Sequence, residues 1–337
     1  EQQERARRQL DYWREKLAGT SGLLDLPNDR PYGAIISANG GNHEWRLPET
    51  TIARIDERCR SENVTGFMLY LAVFQALLAR YSDDRDIVVG SPVTNRSSQE
   101  LESIVGLFVN TIALRASFDD DPNLRDLLVR VRGDALDAME NALAPMEGVI
   151  EQLGLDRAPG RTPLFQTMFV LQNERGTSEL DFDGLRLKWI DPVLKNARFE
   201  ITLSIMVRKR EVLCSLDYNT DLFLPSTIAR MAEHYTALLN ESVANPTTPL
   251  SRLPMLSDAE AAELLTMGDG GRARVEADAT LFGLFAVQSV RTPQADALVE
   301  PGRSLSYAET LARAHGIGRR LTTSGAGREA VVAVLAD

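Results

Sequence analysis

Two periodicities alternate along the first 244 residues, and this alternation confines the chain to an α/β fold. Runs with the two-residue period of a strand include DIVVGSPV, Val105-Gly-Leu-Phe-Val-Asn-Thr-Ile-Ala-Leu-Arg115, LFQTMFVLQN, LRLKWID, FEITLSIMV and EVLCSLDY. A shorter strand, HEWRLP, comes earlier. Between them lie segments with apolar residues at three-to-four spacing, which predict helices near residues 1–17, 49–61 and 65–81. A long helix, NLRDLLVRVRGDALDAMENAL, follows the turn Asp119-Asp120-Asp121-Pro122, a short one runs from Pro145 to Leu153, and Pro225 opens another to about Ala244.

The pattern then breaks. Asn245–Ser257, NPTTPLSRLPMLS, holds three prolines and little apolar periodicity, as a semi-rigid linker would. Beyond it come a short helix, the loop GDGG, a helix around Leu281–Ser289, and a β-α-β opening made of ALVEPGRSLS, YAETLARAHGIGRRL and EAVVAVLAD. The expected organisation is an α/β unit over 1–244, a linker over 245–280, and the opening fragment of another domain over 281–337, ending on what reads as a buried strand. With 337 residues the chain is long enough for two or three domains of roughly 100–200 residues.

The bulk chemistry excludes several classes. A net charge of −11 gives a nucleic-acid role no electrostatic support. The most apolar stretch, Gly66 to Ala79, is interrupted by Gln75 and falls short of the roughly 20 residues a membrane span needs. Cys59 and Cys214 lie far apart, which fits a reducing compartment, and Cys214 reads as core. The start, EQQERARRQLDYW, is a charged helix and not a signal peptide, and without a Met it is expected to lie inside a longer polypeptide. The default location is the cytoplasm.

Catalytic signatures are scarce. His43, His234 and His315 are isolated, with no Cys at ligand spacing, so no metal site is expected, and His234 reads as a packed or surface residue. There is no G-x-S-x-G elbow and no phosphate-binding glycine motif, and TTSGAG at 322–327 reads as a turn. Three polar interruptions of apolar runs remain: Thr94-Asn95-Arg96 after GSPV, Asn110-Thr111 in VGLFVNTIALR, and Gln166 in LFQTMFV. By strand period Asn110 shares a face with Gly106, Phe108, Ile112 and Leu114. A buried amide without partners costs roughly 1–3 kcal/mol, so each polar residue either bonds a local backbone feature or points into a site. The residues alone leave both readings open.

In order along the chain, these segments resemble the condensation domain of non-ribosomal peptide synthetases. VGLFVNTIALR is similar to the family's (I/V)-G-x-F-V-N-T-x-x-x-R, GSPVTNR to G-T-P-V-x-x-R, and GRTPLFQTMFVLQN to R-x-P-L-F-Q. ARFEITLSI and LDYNTDLF resemble the stretch leading to the last helix, and Gln9-Leu-Asp-Tyr-Trp13 the Q-x-x-Y-W helix. At the H-Q-D-x-P-F-E position stands Asn141-Ala-Leu-Ala-Pro-Met-Glu147, where only Pro145 and Glu147 match. LSYAET at 305–310 resembles the adenylation domain's L-[TS]-Y-x-E-L, with Thr310 replacing the last Leu.

The resemblance implies the C-terminal subdomain of a condensation domain, a chloramphenicol acetyltransferase-like α/β lobe, followed by the N-terminal fragment of an adenylate-forming domain. It implies amide-bond formation between donor and acceptor thioesters delivered on the phosphopantetheine arms of carrier proteins, with no cofactor held by this chain itself. The family's catalytic H-H-x-x-x-D-G is absent, since no adjacent His pair exists among these residues, so no residue here is expected to be catalytic and the fragment alone is expected to be inactive. Thr94, Asn95, Arg96, Asn110, Thr111 and Gln166 are then expected to line or position a tunnel between two lobes. Expected partners are donor and acceptor carrier proteins, the adjoining N-terminal subdomain and the adenylation domain. The alternative is a non-catalytic condensation-like module that docks carrier proteins or tailoring enzymes.

Overall fold

The computed structural model describes residues 2–35, 37–94, 96, 100, 104–155, 158–173, 196–208, 211–269, 280–327 and 329–334. The chain divides into two compact units, Glu1–Ala262 and Glu263–Asp337.

In the first unit the described helices are α1 (Gln2–Lys16), α2 (Glu49–Glu62), α3 (Gly66–Ser82), α4 (Leu124–Glu140), α5 (Met146–Leu153) and α6 (Pro225–Ala244). The strands are β1 (Gly40–Arg46), β2 (Asp86–Thr94), β3 (Val109–Ser117), β4 (Thr167–Asn173), β5 (Ile201–Arg208) and β6 (Glu211–Asn219). Local chemistry sets the helix ends. Thr65 and Asn123 accept the N–H of Met68 and Asp126 to cap α3 and α4, Pro225 opens α6, and α2 and α5 finish on left-handed Asn63 and Gly154. Because α3 is apolar on every side, it is buried on every side: each residue from Met68 to Ala79 is inside. Its Gln75 donates to the carbonyl of Leu114 at 2.9 Å.

All six strands form one mixed sheet in the order β1-β6-β5-β4-β2-β3, with β4 parallel to β2 and β5 and the remaining pairs antiparallel. Strands β5 and β6 alternate buried and half-buried positions, and Cys214 is fully buried as expected. Gly90 is required where β2 meets β4: a Cβ there would meet Met168 Sδ and the Phe165 ring at 2.5 Å.

The β2–β4 seam is incomplete. Strand β2 pairs with β3 along its whole length, from Asp86↔Ser117 to Thr94↔Val109, but with β4 only at Gly90↔Met168. Phe118 N–H donates to Arg85 O at 2.7 Å. The antiparallel alternation therefore turns the backbone groups of Gly90, Pro92 and Thr94 toward β4. Pro92 has no N–H to give, and the carbonyl of Phe169 instead accepts the Ser91 hydroxyl at 2.9 Å. The ladder stops there although both strands continue.

Several expectations need correction. The strand expected from Val105 begins at Val109, and Val105 and Leu107 are exposed, so Gly106 and Phe108 share no strand face with Asn110. The expected linker does not begin at 245. Pro246 O accepts the N–H of Arg125, Leu250 N–H donates to Pro122 O, and Leu250 and Leu253 are buried in the core. Arg80 donates to the carbonyls of Leu250 and Leu253, and Ser251 to Asp121, so hydrogen bonds and the two leucines together hold this proline-rich stretch on the unit. The expected strand LRLKWID lies outside the described residues.

Helix α7 (Asp258–Gly268) spans the division between the units. The second unit further contains α8 (Leu281–Arg291), a hairpin of β7 (Asp296–Glu300) and β8 (Arg303–Ser306), and α9 (Tyr307–Thr323). Here LSYAET is a helix-start device: Ser306 and Glu309 form a reciprocal capping box. The TTSGAG segment closes α9 and turns at Gly325, φ 90°. Among the described residues no apolar side chain of this unit is buried. The expected buried strand at the end of the chain is also corrected. Residues 330–334 are irregular and exposed, because no described strand is there to pair with them.

Candidate functional site

A helix leaves its last carbonyls without intrahelical partners. At the end of α4 three side chains from distant parts of the chain supply them. Gln9 Nε2 donates to Glu140 O at 2.8 Å, and Trp13 Nε1 to Asn141 O at 2.9 Å, both from α1. Asn110 Nδ2, from β3, donates to Ala142 O and Ala144 O, each at 2.7 Å. Both of its amide hydrogens are used, so the amide that interrupts an apolar strand caps a turn and does not point into open space.

The capped turn walls a surface concavity of about 350 Å³ lined by Val93, Thr94, Met139, Ala142 and Leu143, with Arg5 and Glu140 on its polar side. Thr94, Asn110 and Thr111 lie near one end of the β2–β3 ladder, in the pairs Thr94↔Val109, Val93↔Asn110 and Pro92↔Thr111, which puts Thr94 and Thr111 on one face of the sheet and Asn110 on the other. Arg96 lies at the same end: its guanidinium stands 4.3 Å over the Phe108 ring and donates to Ile104 O at 2.8 Å. Asn95 lies outside the described residues.

Gln166 is not part of this group. The Gly90↔Met168 pairing places it level with Val88, six residues before Thr94 and about 20 Å along the strand. It is a second clamp. Its Oε1 accepts Leu24 N–H at 2.8 Å, and its Nε2 donates to Gly22 O at 2.9 Å and Thr162 O at 2.6 Å. Arg161 joins it, donating to Leu24 O and, at 3.3 Å, to Glu200 Oε1, while its guanidinium lies 4.5 Å over the Tyr32 ring. Tyr32 donates its hydroxyl to Glu200 Oε2 at 3.1 Å. The Arg161 and Glu200 side chains are only 8% and 7% exposed. Burial pushes the Glu200 carboxyl up to about 7 against the pull of Arg161, and pushes the Tyr32 phenol up to about 12. This network pins residues 22–32 to the start of β4 and β5. Leu164, within it, has φ 71° and sits against Gly22, where a Cβ would meet Leu155 Cδ1 at 2.8 Å and the Leu164 Cα at 3.2 Å.

The expected candidates therefore separate into two clamps at opposite ends of the sheet. Neither holds a nucleophile beside a base. His234 is buried with both ring nitrogens engaged, Nδ1 with Tyr81 Oη at 2.6 Å and Nε2 with Glu260 Oε2 at 2.7 Å, so neither is open to a substrate proton. Among the described residues no cluster of metal-ligating side chains occurs and no single helix is long and apolar enough to cross a membrane. In the sequence Gln9, Trp13 and Arg161 figure only as members of motifs that carry the family resemblance, and Tyr32 and Glu200 have no role there. One signal was present: Gln9 and Trp13 stand four residues apart on a charged helix, on one face.

Residues 1–265 match the family model for the condensation domain. The chain is 38% identical to a linear gramicidin synthase of Brevibacillus parabrevis across 98% of its own length and 4% of that protein's. It is 35% identical to bacitracin synthase 3 of Bacillus licheniformis across 100% of its length and 5% of that protein's. It thus spans a small fraction of the curated relatives it matches. A four-domain nonribosomal peptide synthetase crystallised with AMP and glycine shares the fold at TM-score 0.74 and 24% identity, over 94% of this chain and 25% of that one. The X-domain from teicoplanin biosynthesis superposes at TM-score 0.67 and 25% identity, over 74% of this chain and 57% of that one.

Proposed function

The chain belongs to the condensation-domain family, and from that premise we propose that it is the C-terminal lobe of a domain that joins carrier-borne thioesters by an amide bond. One observation carries the lobe assignment: Asn110, Gln166 and His234 all bond within the fold, and the 337 residues contain no adjacent histidine pair. An amine attacking a thioester needs a proton acceptor and donors for the oxyanion. On this reading the acceptor comes from a preceding lobe, and this lobe supplies shape and support. The apolar side chains in the connection from β2 to β3, where Val105 is 100% and Leu107 91% exposed, suit a face that another lobe covers. Donor and acceptor carrier proteins, with their phosphopantetheine arms, are the partners this reading requires.

The second unit is read as the opening of an adenylation domain. The four-domain synthetase likeness extends over 94% of the chain, beyond the condensation match, and the unit's exposed apolar side chains need further chain to cover them.

The test is an assay with donor and acceptor thioesters on carrier proteins. Product is expected from the chain joined to the preceding segment of its own polypeptide, and none from these 337 residues alone. Product from the chain alone would overturn the assignment. A second reading, a module that docks partner proteins without catalysis, draws on the likeness to the X-domain, which has been crystallised in a complex with OxyB. It predicts no product from either preparation.

A further inference from the structure

One face of α1 meets the end of α4 in a row of residues spaced by four. Trp13 donates to Asn141 O and Gln9 to Glu140 O, and Arg5 continues the row one turn earlier. Arg5 lines the concavity of about 350 Å³ that Val93, Met139 and Leu143 wall. Met139 and Leu143 are 48% and 44% exposed and Val93 is half-buried, so this apolar wall is open to a ligand. Of the lining residues only Arg5 and Glu140 carry charge, and among the described residues neither belongs to an ion pair. The carbonyls of residues 140, 141, 142 and 144 already accept from Gln9, Trp13 and Asn110, which leaves the Glu140 carboxylate as the anionic group of the concavity.

A small-molecule site is mostly apolar, with a few polar groups that fix orientation. One cation, one anion and an aliphatic wall in a concavity of this size are complementary to a zwitterion with an aliphatic side chain. We infer that this concavity binds a free aliphatic α-amino acid, its carboxylate on Arg5, its ammonium on Glu140 and its side chain against Val93, Met139 and Leu143. The guanidinium fork matches a carboxylate, and the glutamate accepts from an ammonium. An aminoacyl group held as a thioester has no free carboxylate for Arg5, so the site is separate from the chemistry of the function proposed above and does not rest on it. Leu143 is the specificity element. The H-Q-D-x-P-F-E pattern has Asp at that place, and a carboxylate there would repel that of the ligand and break the apolar wall. An exposed ion pair adds only a few-fold to affinity, so the site needs all three features together and binds on the order of millimolar.

The test titrates L-leucine into the isotopically labelled chain and follows the methyl resonances of Val93 and Leu143 and the side-chain Nε–H of Arg5. Three probes each lack one feature: isocaproate the ammonium, isoamylamine the carboxylate, and glycine the side chain. Leucine is expected to shift the three residues saturably, and each probe to bind several-fold more weakly. Arg5→Gln should weaken leucine several-fold and leave isoamylamine unchanged, whereas Glu140→Gln should weaken leucine and leave isocaproate unchanged. A disturbed fold would not produce that crossed pattern. Leu143→Asp should abolish the shifts. All three positions are exposed or on the open wall, and Gln9 bonds the Glu140 backbone carbonyl, which the substitution keeps. The absence of saturable shifts at the concavity, isocaproate or isoamylamine binding as tightly as leucine, or Arg5→Gln weakening isoamylamine as much as leucine would each overturn the inference.

Discussion

Asn110 reaches across 32 residues to donate to the carbonyl of Ala142 at 2.7 Å, and its second hydrogen goes to Ala144 O at the same distance. The edge strand of the sheet thereby fixes the turn that ends α4. The same turn receives Gln9 and Trp13 from α1. Side chains from α1 and β3 thus meet at one set of carbonyls at the end of α4.

Asn110→Ala should therefore destabilise the first unit by about 1–3 kcal/mol, since it removes two hydrogen bonds to the turn. Gln9→Ala should cost less, with one bond lost, and the double variant should depart from additivity by more than about 0.5 kcal/mol because both act on one turn. Urea unfolding of the four proteins measures this. Additive effects, or a shift below about 0.5 kcal/mol for Asn110→Ala, would mean the turn holds itself.

Glu200 gives a pH dependence with a definite sign. Its folded-state value is raised to about 7 from an ordinary 4.5, chiefly by burial. Between those values the folded protein holds a proton that the unfolded chain has lost. Its contribution is complete below pH 4.5 and fades as the pH rises to about 7, over a range of at most roughly 3 kcal/mol. Glu200→Gln should flatten this part of the stability–pH curve. A curve for the variant parallel to that of the parent would show that Arg161 keeps the carboxylate ionised.

Gly90→Ala should destabilise by about 1–3 kcal/mol, through overpacking against Met168 and Phe165. Adding Met168→Ala makes room and should recover part of the loss. Thermal melts of both variants decide it, and a neutral Gly90→Ala would place the two strands further apart than the structure has them.

Glu260 accepts from or pairs with His234 at 2.7 Å and lies 3.8 Å from Arg230 Nε, while no residue of α7 is buried. Glu260→Ala should raise amide hydrogen exchange in the segment after Asp258 by more than tenfold, without changing protection in α3 or α6. Unchanged exchange would assign the tether to other contacts.

What the sequence determined by itself is local. Apolar periods located the helices and most strands, because a helix face and a strand face bury residues at different spacings. Thr65, Asn123, Pro225 and the Ser306–Glu309 pair mark helix starts, since a cap bonds within three residues of itself. The all-round apolar run Met68–Ala79 had to be inside. What the tertiary structure alone decided is who meets whom. Asn110 and Gln166 look alike in sequence, each an amide interrupting an apolar run, and both prove to be clamps, yet the register of β2 with β4 puts them at opposite ends of the sheet. The partners of Asn110 come from residues 142 and 144, and those of Gln166 from residues 22, 24 and 162. No local pattern encodes such pairings, because a carbonyl at a helix end is the same acceptor wherever it lies, and only strand register and helix docking bring a particular amide within 3 Å of it.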